Sequence, residues 1–408
     1  MSLADTAMPP RREWQGWVAA LALVAALAVP LFVAGGERSY LIGGGTMAIV
    51  GALILAGGVL ASLSRSGAGV NGFLVFVGCV VALGYATAAL GPVAAIAEDK
   101  TLGGLAFFSA TAGFWALVVL VWSLAWLSVN RLSVVRAPRP LGATLVNVFI
   151  PAIFGVTIIF LWEVITRGLA VPFVILPPPS AIWAKLTNSI SFFNADGALV
   201  SGVLWVDFQQ TFLKSVLAGY VIGCLSGFLV AIAADRVPFL RRGLLPIGNL
   251  ASALPIVGVA PIMVTWFGFD WPSKAAVVVA MTFFPMLINT LAGLEASDRI
   301  QRDLMQTYGA NHWQTLIKLR LPVALPFIFN ALKINSTLAM IGAIVAEFFG
   351  SPTSGMGFRI STEVGRMNTD MVWAEIAVAA LAGSVFYGLV SLIERAVTFW
   401  HPSFRQAK

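Results

Sequence analysis

Ten long apolar segments, separated by mostly short polar connections, run along the chain. They cover residues 17–34, 46–63, 71–96, 105–129, 145–166, 211–234, 244–266, 275–294, 323–348 and 374–398. Each contains at least 18 residues, and about 20 apolar residues cross the hydrocarbon core of a bilayer as a helix. The short segments of alternating hydrophobicity that are typical of a membrane β-barrel are absent from the sequence. The pattern predicts an all-α integral membrane protein with about ten transmembrane helices.

The composition supports this class. Of the 408 residues, 59% are hydrophobic and 11% are charged, whereas soluble domains are about 45–50% apolar and about 25% charged. The formal net charge of +7 would favour nucleic-acid binding in a soluble protein, but basic residues also concentrate in the cytoplasmic loops of membrane proteins. We therefore expect contact with membrane lipid and none with nucleic acid.

The basic residues also predict the orientation of the chain. With the N-terminus inside, most Lys and Arg residues fall in inside connections, among them Arg236, Arg241 and Arg242. Cytoplasmic loops carry such an excess, so we expect both termini in the cytoplasm and an even number of spans.

A basic, proline-bearing stretch from Asn130 to Pro140 divides the apolar segments into four and six. We interpret the chain as an accessory four-helix membrane module (1–129), a basic cytoplasmic linker (130–144), a working core (145–398) and a cytoplasmic tail (399–408).

The longest inside connection, 295–322, is polar and compatible with helix, and Gly309 interrupts it. Because glycine adopts turn conformations without a Cβ penalty, the segment predicts two short helices that meet at Gly309. Pro322 follows where the next span begins, and proline is tolerated in a first helical turn. We expect a helical platform on the cytoplasmic face, large enough to bind a partner.

The same segment resembles the EAA loop of ABC importer permeases. Asp303-Leu304-Met305 is followed after three residues by Gly309, and after nine more by Leu319-x-Leu321-Pro322. The family pattern is Glu-Ala-Ala, three residues, Gly, nine residues, Ile-x-Leu-Pro. The spacing is kept in full, while Asp replaces Glu, Leu-Met replaces Ala-Ala and Leu319 replaces Ile.

Three further motifs resemble one branch of that family, the permeases of nitrate, sulfonate, taurine and pyrimidine-precursor importers. They are Leu176-Pro177-Pro178-Pro179-Ser180 with Trp183, Leu254-Pro255 to Trp266-Phe267-Gly268, and Ala346-Glu347-Phe348 to Gly355-Met356-Gly357. The resemblance covers roughly residues 145–400 and implies the six-helix core of a type I ABC importer permease in the inner membrane of a bacterial cell.

The resemblance implies that the loop docks on a separate cytoplasmic ATP-binding subunit. The docking and exit positions would be Asp303, Leu304, Met305, Gly309, Leu319, Leu321 and Pro322. It also implies a periplasmic or lipid-anchored solute-binding protein and a second permease copy that completes a homodimer. The sequence contains no Gly-Lys dipeptide and hence no phosphate-binding loop of the G-x-x-x-x-G-K-[ST] type, so we expect ATP and Mg on the partner subunit and no cofactor in this chain.

Polar residues within the apolar segments are candidates for the translocation path, because ionisable groups in a membrane are costly and often functional. The candidates are Asn289, Lys333, Asn335 and Glu347. Lys333 and Glu347 are too far apart to pair within one straight helix, since 14 residues rise about 21 Å. Alternatively, Lys333 extends to the interface and Glu347 braces the outer loop.

Gly219, Gly223 and Gly227 recur every four residues in the sixth apolar segment. Small residues at this spacing allow two helix backbones to approach closely. The seam they form lies either within one subunit or between two copies.

We expect a permease subunit that moves a small solute by alternating access, driven by a separate ATPase, and not an enzyme. The alternative is a stand-alone secondary carrier or channel, although the charged relay of a proton-coupled carrier is missing. A membrane-embedded enzyme would need a His or carboxylate cluster, and a metal site needs suitable ligands. Cys79 and Cys224 lie in apolar segments and His312 and His401 are far apart, so we expect no bound metal.

Overall fold

The computed structural model describes residues 14–34, 37–41, 46–63, 68–99, 112–134, 140–169, 171–189, 202–251, 255–350 and 354–400. The chain forms two compact units, Met1–Ala181 and Ile182–Lys408, which we call the N-terminal unit and the C-terminal unit.

The N-terminal unit contains five long helices and a short antiparallel hairpin. In chain order they are α1 Trp14–Ala28, β1 Phe32–Ala34, β2 Glu37–Ser39, α2 Thr46–Leu63, α3 Ala68–Asp99, α4 Ala112–Val134 and α5 Pro140–Gly168. The hairpin pairs Phe32 with Ser39 and Ala34 with Glu37.

Helix α4 is the centre of this unit, because it packs against α1, α3 and α5 and buries Leu117, Leu120 and Leu124 completely. The Arg131 guanidinium near its end donates to the carbonyl oxygens of Ala61 and Ser62, both at 2.6 Å. These carbonyls belong to the last turn of α2, where they lack partners within the helix. Arg131 therefore fixes the end of α2 to α4.

Helices α6 to α16 follow. They are α6 Pro179–Ser189, α7 Val203–Phe208, a first π-helix Gln209–Val216, α8 Leu217–Arg236, α9 Pro238–Ala251, α10 Ile256–Phe267, α11 Trp271–Glu295, α12 Arg299–Thr307, α13 His312–Thr315, a second π-helix Leu316–Arg320, α14 Leu321–Gly350, α15 Met356–Gly365 and α16 Thr369–Val397.

The predicted helical membrane class is confirmed. Seven described stretches are long and apolar enough to cross a membrane, and three shorter apolar helices (Trp14–Ala28, Val50–Leu63 and Gly258–Phe267) overlap the remaining predicted segments. Each of the ten predicted segments thus overlaps an apolar helix.

Two predicted boundaries were wrong. The first segment was expected to continue to residue 34, but α1 ends at Ala28 and the chain turns through Pro30 into the hairpin, since proline cannot continue an intrahelical ladder. The segment 244–266 is divided between α9 and α10; Pro255, with extended backbone, is the N-cap of α10.

The proposed domain boundaries stay predictions. The described ends of the predicted linker are helical, since residues 130–134 belong to α4 and 140–144 to α5. Residues 135–139, together with 105–111 of the fourth predicted span and 401–408 of the tail, lie outside the described residues.

The C-terminal unit is organised around α11, which packs closely against α8 on one side and α14 on the other. Gly219, Gly223 and Gly227 face α11 and are buried. A Cβ atom on Gly219 would lie 2.5 Å from Val278 Cβ and 2.7 Å from the Ala275 carbonyl oxygen. The glycine seam therefore lies within one subunit, which confirms the intra-subunit interpretation.

We predict that Gly219→Ala lowers the thermal unfolding midpoint of the detergent-solubilised protein. The added methyl group collides with the backbone of α11, and overpacking of this kind costs about 1–3 kcal/mol. The matched control is Gly388→Ala in α16, where a Cβ meets nothing within 4 Å and helix propensity favours alanine by roughly 0.5–1 kcal/mol. A Gly219→Ala midpoint equal to or above that of the control would contradict the packing argument.

Candidate functional site

The segment between α11 and α14 consists of two short helices joined at Gly309, as the sequence predicted. Asp298 is the N-cap of α12, and its side chain accepts a hydrogen bond from Ile300 N at 3.2 Å. Asn311 opens α13 with a capping box, in which Asn311 and Gln314 each bond the other's backbone N–H. These side chains satisfy N–H groups that a helix start leaves without partners.

Gly309 makes the turn between the two helices. Its φ is +71°, a left-handed conformation that costs other L-residues about 1–2 kcal/mol. Gly309 N bonds to Gln306 O, and Ala310 N bonds to Met305 O, both at 2.9 Å. A Cβ at this position would meet nothing within 4 Å, so the backbone conformation, and not lack of space, favours glycine here.

The predicted docking and exit residues fall into two groups. Asp303, Leu304 and Gly309 are exposed, whereas Met305, Leu319, Leu321 and Pro322 are half-buried. Pro322 lies in the first turn of α14, as expected. The docking role of these residues stays a prediction.

Sequence reasoning missed an apolar ridge on α12. Ile300, Leu304 and Tyr308 are 76%, 55% and 81% exposed, and α12 has no buried residue. Residues four apart lie on one helix face, so Ile300 and Leu304 on α12, with Tyr308 at its C-cap, form a continuous stripe, which we call the docking ridge. The spacing of four within an otherwise polar segment was the available signal.

The candidate path residues lie largely inside the subunit. Asn335 is fully buried and its Nδ2 donates to Thr282 O at 2.8 Å and to Cys224 Sγ at 3.2 Å, which joins α14 to α11 and α8. Asn289 Nδ2 donates to Pro285 O within its own helix at 2.8 Å.

Lys333 and Glu347 do not pair with each other, as the helix spacing predicted. Lys333 Nζ lies 2.7 Å from Glu394 Oε2 on α16. Glu347 is 1% exposed and accepts hydrogen bonds from Thr211 Oγ1 at 2.9 Å and from Gly357 N at 2.8 Å. Glu347 therefore braces the chain that follows α14, which was one of the two interpretations, and a role in the path stays a prediction.

Glu347 belongs to a buried charged cluster near the end of α14 that the sequence did not reveal. Besides Glu347, the cluster contains Asp207, Lys274, Arg359 and Glu375. Asp207 is fully buried and lies 2.8 Å from Arg359 Nε. The members come from five different helices, so no local sequence pattern brings them together.

The cluster holds the start of α15 in place. Three successive backbone N–H groups are bound by side chains: Gly355 N by Asp207, Met356 N by Thr211 and Gly357 N by Glu347, at 2.7, 2.8 and 2.8 Å. The N-terminus of a helix carries partial positive charge and favours carboxylates. Asp207 and Glu347 thus stabilise α15 by both hydrogen bonding and charge.

Lys274 stabilises the C-terminal end of α14. Its Nζ donates to the carbonyl oxygen of Gly350, the last residue of α14, and also to Phe269 O at 2.5 Å and Asp270 O at 3.1 Å. The C-terminus of a helix favours a cation. Among the described residues, no group of three or more His, Cys, Asp or Glu side chains is placed to hold a metal ion.

The helices and the platform define a multi-span membrane permease. Residues 219–399 match the family described as "Binding-protein-dependent transport system inner membrane component". The chain belongs to this family, whose members are permease subunits of ABC importers.

Individual relatives of the chain are also transport permease proteins. The riboflavin transport system permease protein RibX of Chloroflexus aurantiacus is 30% identical over 57% of this chain and 82% of its own length. The taurine transport system permease protein TauC of Escherichia coli is 30% identical over 59% and 85%. The formylaminopyrimidine transport permease protein ThiX of Halalkalibacterium halodurans is 28% identical over 61% and 95%. These relatives support an importer permease and not a stand-alone carrier.

We predict that Glu347→Ala accelerates amide hydrogen exchange in residues 354–365. The substitution leaves Gly357 N–H and the Thr211 hydroxyl without their acceptor, and a buried unsatisfied group costs about 1–3 kcal/mol. Exchange of the Gly355–Gly357 amides should rise about tenfold, since roughly 1.4 kcal/mol is a factor of ten. Thr362→Ala is the control, because it removes only a bond to Phe358 O within α15. Unchanged exchange in Glu347→Ala would show that the cluster does not hold α15.

Proposed function

We propose that this chain is the membrane-spanning half of an ATP-driven importer whose docking ridge binds a separate cytoplasmic ATP-binding subunit. The observation that carries the proposal is the exposure of Ile300, Leu304 and Tyr308 beside the turn at Gly309. Large apolar side chains that project from a polar segment are typical of protein–protein contact sites, where Tyr contributes strongly. The segment leads directly into α14, so movement of the ridge is transmitted to a membrane span.

The remaining parts of the importer follow from this assignment. ATP and Mg would bind to the ATP-binding subunit. A solute-binding protein, periplasmic or lipid-anchored, would deliver the solute to the opposite face of the bacterial inner membrane. The excess of Lys and Arg in the connections on the platform side supports cytoplasmic termini.

A second copy of the chain would complete the translocation path. One stripe of α14 is exposed and contains the polar residues Asn330 and Thr337 beside Ile334 and Ile341. Polar side chains in contact with lipid are unfavourable, which supports a homodimer that covers this stripe. The solute would be small and of the kinds named for the relatives, such as taurine, riboflavin or a formylaminopyrimidine, or a sulfonate or nitrate.

Reconstitution tests the function. The chain, co-purified with its ATP-binding subunit and placed in vesicles with the solute-binding protein, should accumulate one of radiolabelled taurine, riboflavin, formylaminopyrimidine or nitrate. Accumulation should require ATP hydrolysis, because the protein couples to a separate motor. Uptake that persists without ATP and without the ATP-binding subunit would support a stand-alone carrier and contradict the proposal.

A second prediction concerns the docking ridge. Tyr308→Ala should weaken binding of the ATP-binding subunit about tenfold, since loss of an interface hot spot costs roughly 1.4 kcal/mol or more. Binding can be measured by titrating the purified subunit onto the permease in nanodiscs. Thermal stability should not change, because Tyr308 is 81% exposed. The control is Val364→Ala, which alters an exposed apolar side chain on α15; equal affinity of the two variants would eliminate the ridge as the docking site.

A further inference from the structure

Arg320 occupies the junction between the platform and the membrane helices. It is the last residue of the second π-helix and precedes Leu321, where α14 begins. Its side chain is 14% exposed, so it is directed into the protein although it belongs to a largely exposed segment. A π-helical turn is rare and is often found at functional positions.

The guanidinium of Arg320 binds two other helices. Nη1 and Nη2 donate to the two carboxylate oxygens of Asp235, each at 2.7 Å, and Nε donates to Leu294 O at 3.0 Å. Asp235 is next to last in α8 and Leu294 is next to last in α11. One side chain thus connects the end of the platform to the last turn of α8, which is distant from it in sequence, and to the last turn of α11, after which the platform begins.

This geometry is rigid. A bidentate arginine–carboxylate pair fixes both distance and orientation, and lysine cannot reproduce the planar fork. The Asp235 side chain is 6% exposed, so the pair is largely screened from water. By contrast, α12 has no buried residue and contributes little to holding the platform against the spans.

We propose that the Arg320–Asp235 pair is the latch that makes the end of α8 move together with the platform. Arg320 is a positioning residue: it transmits displacement of the docking ridge to a span that does not adjoin the platform in the chain. The inference rests on the proposed docking of an ATP-binding subunit. Without the latch, displacement would reach the membrane through the chain connections to α11 and α14 and the buried side chain of Leu316, which is 2% exposed.

The chain provides a matched control. Arg241 and Glu295 form a second ion pair that joins α9 to the end of α11. Both partners are more exposed, at 37% and 45%, and neither contacts the second π-helix in the pairs that the structure describes. Arg241→Gln removes a cation from the same end of the bundle and leaves the latch intact.

The test compares hydrogen exchange in the full complex of permease and ATP-binding subunit, with and without MgATP and orthovanadate. In the unaltered protein, trapping should change exchange in α12 and in the last turns of α8 and α11. In Arg320→Gln, the changes in α12 and at the end of α11 should remain, because α11 continues into α12 through residues 296–298, and the change at the end of α8 should be lost. Arg241→Gln should behave like the unaltered protein.

Rescue separates positioning from a merely structural role. Arg320→Lys retains the charge but lacks the bidentate fork, and it should lose the response of α8 while remaining folded. The exchange of partners, Asp235→Arg with Arg320→Asp, should restore that response at least in part.

A response of α8 that persists in both Arg320→Gln and Arg320→Lys would overturn the latch and leave docking intact. Loss of the α12 response in the same variants would also overturn it, since Arg320 would then act on docking. Absence of an α12 response in the unaltered protein would instead refute the proposed docking, and the latch with it.

Discussion

The absence of water around the membrane helices is the constraint on which the rest of this structure depends. A polar group buried there must find its partner within the protein, and several charged side chains of the C-terminal unit do so across helices. Lys333 pairs with Glu394, Asp207 with Arg359, and Lys274 with carbonyl oxygens that include that of Gly350. Each pairing joins helices that are separate in sequence, so satisfying the buried charges also fixes the arrangement of the bundle.

Helix α14 connects two regions in which buried polar groups are paired. Its 30 residues extend about 45 Å at 1.5 Å per residue, which exceeds the hydrocarbon thickness of a bilayer, about 30 Å. At its start lie the exposed platform and the Arg320–Asp235 pair, and at its other end Glu347 binds the first turn of α15. Close packing on α11 along its length makes it suitable for transmitting displacement between these two places.

The same constraint applies to the N-terminal unit, where backbone carbonyl oxygens are paired with a side chain. Its helices carry few charges, and Arg131 compensates the free carbonyl oxygens at the end of α2. The family match covers residues 219–399, which lie within the C-terminal unit; the role of residues 1–129 as an accessory module stays a prediction.

The sequence by itself determined the membrane class, the ten apolar helical segments and the platform with its turn at Gly309, because these depend on local properties: run length, capping side chains and the backbone freedom of glycine. It could not determine where α1 ends, that residues 244–266 form two helices, or which groups are buried together. Asp207 and Glu347 are 140 positions apart in the numbering yet bind amides only two residues apart in one turn. Such pairings, like that of Arg320 with Asp235, were decided only by the tertiary structure, because a buried charge selects its partner by distance in space and not by spacing along the chain.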